Sequence, residues 1–110
     1  NISKGTDIIV AVLDSGIDTL HPEFSGRLLP GFDAFATDST NTNGYPLLNF
    51  DENAHGTACA GIIGAAQDNE IGISGVAPEA ILVPVRIFVY IEFGPGPFHD
   101  PTRWSYLLFV

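Results

Sequence analysis

One stretch limits the fold more than any other. Residues 7–13 read Asp7-Ile8-Ile9-Val10-Ala11-Val12-Leu13, a near-continuous apolar run rich in β-branched side chains. It does not alternate between polar and apolar residues. The pattern therefore predicts a strand buried on both faces, the situation of a parallel sheet covered by helices. Ser15-Gly16 ends the run and leaves Asp14 at the strand's carboxyl end. In open α/β sheets that end opens onto the crevice where ligands bind.

The downstream sequence fits the same architecture. Residues 33–53 are dominated by Asp, Thr, Asn, Ser and Gly, which predicts a long surface loop. Residues 55–66, His55-Gly56-Thr57-Ala58-Cys59-Ala60-Gly61-Ile62-Ile63-Gly64-Ala65-Ala66, contain no proline and are long enough for a buried helix. Its glycines weaken intrinsic helicity by about 1 kcal/mol each relative to Ala, so they point to close backbone packing. Residues 80–88 read as a second buried strand, although Pro84 argues against a central place in a sheet. Asp100-Pro101 has the form of an N-cap followed by proline and predicts a helix opening near residue 101. Strand, helix, strand and incipient helix give an α/β fold, a parallel β-sheet with flanking helices. Two apolar-faced strands cannot cover themselves, so residues 1–110 are expected to form an incomplete, amino-terminal part of a domain.

Composition removes several classes of function. Thirteen acidic residues against four basic ones give a net charge of −9. Such a surface repels phosphate backbones and anionic lipid, which argues against nucleic-acid and membrane partners. No stretch reaches the roughly 18 apolar residues of a membrane-spanning helix. The start, Asn1-Ile2-Ser3-Lys4-Gly5, carries no signal-peptide pattern, as expected of a mature or excised piece. Cys59 is the sole cysteine, which rules out an intrachain disulfide.

Four segments, in order, carry a resemblance. They are Val12-Leu13-Asp14-Ser15-Gly16-Ile17-Asp18, His21-Pro22-Glu23, His55-Gly56-Thr57-Ala58-Cys59-Ala60-Gly61 and Gly75-Val76-Ala77-Pro78. Together they resemble the subtilisin-like serine proteases, the subtilase family, over residues 7 to about 90. The resemblance implies that Asp14 orients a catalytic histidine and that His55 is the general base. A histidine at a helix N-terminus feels the positive end of the dipole, which disfavours imidazolium and keeps a neutral base available. The family's nucleophile sits in a Gly-Thr-Ser-Met-Ala-like segment. None of Ser3, Ser15, Ser25, Ser39, Ser74 and Ser105 has that context. The chain alone is therefore expected not to hydrolyse peptides. Its implied partners are a polypeptide substrate and the remainder of the catalytic domain, in a secreted or extracytoplasmic setting.

The resemblance also implies a structural Ca²⁺ site, with a carboxylate from Glu23 and a loop contributing Gln67, Asn69, Ile71 and Ile73. Backbone carbonyls with one carboxylate meet calcium's demand for six to eight oxygens. Cys59 lies four residues after His55 and so on the same helical face. It reads as a small buried hydrophobe or as a thiol beneath the histidine, with a zinc pair disfavoured for want of further ligands. Residues 93–98 occupy the place of a substrate-binding edge in an unfamiliar pattern and define no subsites. Two other readings compete. One is a pseudoprotease or interaction module. The other is a retroviral-type aspartic protease, suggested by Leu13-Asp14-Ser15-Gly16 and Ile62-Ile63-Gly64, which would be all-β.

Overall fold

The computed structural model describes residues 3–34, 54–91 and 105–108. The expected 33–53 loop lies outside it beyond residue 34, as do residues 93–98 and the Asp100-Pro101 start. Strand β1 is Ile9–Asp14, β2 is the short Phe32–Asp33, helix α1 is His55–Gly64 and β3 is Ile81–Arg86. These three strands form a parallel sheet in the order β1-β3-β2. The parallel sheet and α1 exclude the all-β aspartic protease.

Burial along β1 alternates. Val12 and Asp14 are buried, whereas Ile9 and Leu13 are 60% and 56% exposed. The two-sided burial expected of this run is thus realised on one face only. Helix α1 packs on the sheet, and Val12, Ile17, Phe24, Ala60 and Leu82 close a small core with Val10, Leu28 and Ile63 against it. The opposite face stays bare, an apolar surface dictated by sequence and uncovered by any described element.

Strand β3 is central despite Pro84, a correction to the expectation. Its even-numbered residues face β2 and the segment before it. Leu82 N–H donates to Arg27 O, Leu29 N–H donates to Leu82 O, and Ala34 N–H donates to Arg86 O. Pro84, lacking an N–H, faces the same side at Pro30-Gly31, between the Leu28 bridge and the resumption of pairing at Phe32. The proline therefore falls at the one gap in that ladder.

A second correction concerns the C-terminal end. Residues Ser105–Leu108 form strand β5, antiparallel to β4 (Phe88–Ile91), with Tyr106 opposite Tyr90. The helix start read at Asp100-Pro101 was a local signal. Aromatic and branched residues on both segments favour a pleated pairing, and that longer-range option prevailed.

Candidate active site

Three local features bring Asp14 and His55 together. Strand β1 ends at Asp14, where the chain turns through Ser15 and a left-handed Gly16. Helix α1 begins at His55, after Ala54 in a left-handed conformation that offers no side-chain cap. The missing cap comes from across the fold, because Ser15 Oγ accepts from Gly56 N–H at 3.0 Å. Gly56 is what permits this approach. A Cβ there would lie 2.0 Å from the Gly16 carbonyl oxygen, well inside contact distance.

The result is a bond of 2.7 Å between His55 Nδ1 and Asp14 Oδ1, across 41 residues. Asp14 Oδ1 also accepts from Ser15 N–H at 2.7 Å and from Ser15 Oγ at 3.1 Å. Burial raises the Asp14 carboxyl, but the His55 bond, the Ser15 backbone bond, the attraction of His55 and the Ser15 hydroxyl outweigh it. The net position is below the ordinary carboxylate value. An ionised carboxylate can only accept, so Nδ1 carries the hydrogen of the shared bond. That tautomer leaves Nε2 as the ring's proton acceptor. The Asp14 side chain is 11% exposed and that of His55 is 53% exposed, a shielded carboxylate beneath a reachable imidazole. Such a pair can take a proton from a hydroxyl presented to Nε2 and return it.

Cys59, one turn along the helix, is half-buried and places Sγ 3.8 Å from His55 Nδ1. Of the two readings of Cys59, the arrangement matches the thiol beneath the histidine. Asp14, Arg86 and Asp33 share one register level at the sheet's carboxyl edge. The Arg86 guanidinium donates to Asp33 Oδ2 at 3.2 Å, and both side chains are largely buried. Sequence reading missed this ion pair and the double role of Ser15. Buried Asp and Arg on neighbouring strand ends are a signal only once the register is known.

The expected calcium residues are partly assembled. Glu23 lies on a short 3-10 turn, Pro22–Phe24. Its Oε2 accepts from Ala66 N–H at 3.0 Å and from Asn69 Nδ2 at 2.9 Å. Its Oε1 is buried and has no hydrogen-bond partner among the described residues. Gly72, at φ +59°, presses so close that a Cβ there would stand 2.0 Å from Oε1. Asn69, Ile71 and Ile73 line a cavity of about 250 Å³ within the loop. Gln67 is not among its walls and borders a different cavity with Lys4 and Gly75.

The chain is similar in sequence and fold to known proteins. The profile of the subtilase family matches residues 5–97. Thermitase of Thermoactinomyces vulgaris is 38% identical over 87 residues, 79% of this chain and 28% of that protein. An intracellular serine protease of Paenibacillus polymyxa is 42% identical, over 79% of this chain and 25% of that protein. Among solved structures, MycP1 from Mycobacterium smegmatis superposes with a TM-score of 0.59 at 30% identity, covering 92% of this chain and 24% of that one. The chain thus spans about a quarter of the length of the curated relatives it matches.

Proposed function

Because the chain belongs to the subtilase family, we propose that it supplies the Asp and His of an Asp-His-Ser triad that hydrolyses peptide bonds. Asp14 holds the ring and its tautomer, and His55 is the general base that activates a serine supplied from elsewhere in the catalytic domain. The 2.7 Å contact from Asp14 Oδ1 to His55 Nδ1 carries this reading. In such a triad the carboxylate fixes the imidazole and stabilises the imidazolium formed as the nucleophile loses its proton. The bare apolar sheet face, with Ile9 and Leu13 exposed, supports a fold completed by further elements. The extracytoplasmic setting implied by the resemblance has an intracellular relative against it.

The chain alone is expected to be inactive, since no serine in it has the nucleophile's context. The test uses the complete polypeptide encoded with this segment, assayed on a peptide substrate. Hydrolysis blocked by a fluorophosphonate is expected. By the precedent of subtilisin, kcat falls about 10⁶-fold for His55→Ala, and by that of the Ser-His-Asp triad about 10⁴-fold for Asp14→Asn. Hydrolysis that survives His55→Ala contradicts the assignment, as does turnover by the 110-residue chain itself.

We also propose that Glu23 and the Asn69, Ile71 and Ile73 positions hold a structural Ca²⁺. The support is Glu23 Oε1, a buried oxygen without a donor among the described residues, packed against Gly72 of the loop that carries Asn69, Ile71 and Ile73. A buried polar atom left unsatisfied costs about 1–3 kcal/mol, and a cation there removes the deficit. Bound calcium supplies no chemistry to the reaction; it ties the 3-10 turn to the loop that follows α1. Gln67 has no such support.

A further inference from the structure

The cluster at the end of β1 contains one more chemistry than the dyad uses. We propose that Asp14, His55 and Cys59 form a binding site for a borderline-soft divalent cation of the Zn²⁺ class, which switches off the histidine as a base. One carboxylate oxygen, one imidazole nitrogen and one sulfur lie within 4.8 Å of one another. His55 Nδ1 is 2.7 Å from Asp14 Oδ1 and 3.8 Å from Cys59 Sγ.

Tetrahedral zinc binds oxygen and nitrogen at about 2.0–2.2 Å and sulfur at about 2.3 Å, which sets neighbouring ligand atoms about 3.3–3.6 Å apart. The Nδ1–Oδ1 pair must widen and the Nδ1–Sγ pair must shorten, each by less than about 1 Å on those values. His55 and Cys59 stand on adjacent turns of one helix, so their spacing is already held. Carboxylate, imidazole and thiolate are each zinc ligands, whereas the nitrogen and sulfur suit calcium or magnesium poorly. The 53% exposure of the His55 side chain leaves an entry path and a fourth position for water. The sequence offered only His55 and Cys59 at helical spacing. Asp14 supplies the third ligand from the end of the strand.

The protons balance as follows. In the dyad Nδ1 holds the ring proton and the sulfur is a thiol. Binding through the Nδ1 lone pair moves that proton, by way of water, to Nε2. Binding through sulfur releases the thiol proton to solvent. One proton leaves per ion bound, and the Nε2 lone pair is no longer available. This last consequence rests on the reading of His55 as the base; the metal site itself does not.

The experiment titrates the reduced 110-residue chain with Co²⁺ as a spectroscopic stand-in and then displaces it with Zn²⁺. Expected are one ion per chain, a thiolate-to-cobalt charge-transfer band, release of one proton and loss of the band on adding Zn²⁺. Cys59→Ser abolishes the band. Asp14→Asn weakens Zn²⁺ by at least about tenfold, the floor set by losing even an outer-sphere partner. Should that variant not fold, the wild-type chain in concentrated urea serves instead. There only the local His55-Cys59 pair remains, and the affinity falls by at least the same factor. Absence of the band overturns the site, as does an affinity unchanged in folded Asp14→Asn or, where that variant does not fold, in urea. Neither result bears on the hydrolysis test, in which no metal is added.

Discussion

Asp14 and Glu23 are both buried carboxylates, 7% and 4% exposed, and each gathers its donors on one oxygen to a different end. Asp14 Oδ1 takes three donors, two from Ser15 and one from His55. Glu23 gathers two donors on Oε2 and leaves Oε1 with none among the described residues. The three donors on Asp14 Oδ1 all come from within the chain, and one of them is the side chain it holds. The second keeps an unmet acceptor, which is what a site for something outside the chain requires. The comparison separates two ways a fold uses a buried charge. One positions a group, and the other leaves an acceptor unmet among the described residues.

The largest effect falls on the Asp14 side. Gly56→Ala puts a Cβ 2.0 Å from the Gly16 carbonyl, so α1 must move off the turn that carries Asp14. The expected loss is about 3 kcal/mol, the upper end for overpacking, read as a lowered urea midpoint. Gly61→Ala in the same helix meets nothing within 4 Å and is the control. It should gain about 0.5–1 kcal/mol, as Gly to Ala in a helix ordinarily does. Equal effects at the two glycines would show that close packing at the turn is not what joins the dyad.

Calcium should act on the Glu23 side alone. At a hundred times its dissociation constant, binding adds about 2.7 kcal/mol of stability. Thermal melts with Ca²⁺ and with chelator are expected to separate for the wild type and for His55→Ala, and to coincide for Glu23→Ala. A wild type whose melting midpoint ignores calcium removes the site.

Ser15→Ala gives the smallest effect. It deletes a donor to Asp14 and the acceptor for Gly56 N–H. Loss of a helix cap costs about 1 kcal/mol. Its signature is in acid. The Asp14 carboxyl lies below its ordinary value of 3.8 in the folded chain. Its contribution is therefore complete above that value and is lost as pH falls through the lower, folded value. Without the hydroxyl the folded value rises toward 3.8, so less of the acid-labile stability remains. A Ser15→Ala chain with an undiminished acid-labile component would assign the lowering to other groups.

Particular residues explain what the sequence disclosed. The apolar run before Asp14 and the glycine-bearing stretch after His55 specified a strand and a helix, because periodicity and close packing are written locally. Helix α1 ends at Gly64 rather than residue 66, a difference of one frayed half-turn. Asp14 and His55 were legible as a pair through the four family segments. Ser15 was not, because its hydroxyl caps a helix that begins 40 residues later. Nor was the central place of β3. Pro84 is tolerated only because Pro30-Gly31 opposes it, and register is a tertiary quantity. The strand at 105–108 lost to a local helix signal because its partner, 88–91, is non-local. Glu23 was reached by resemblance. Its unmet oxygen needed coordinates.

Asp14 fixes His55 in the tautomer that leaves Nε2 without a proton. Nitrogen-15 NMR of the imidazole near neutral pH, without added metal, tests it most directly. Expected are a ring whose neutral form is protonated at Nδ1, that proton shifted by its bond to Asp14, and a pattern that changes in Asp14→Asn. A neutral ring protonated at Nε2, or one indifferent to Asp14→Asn, would contradict it.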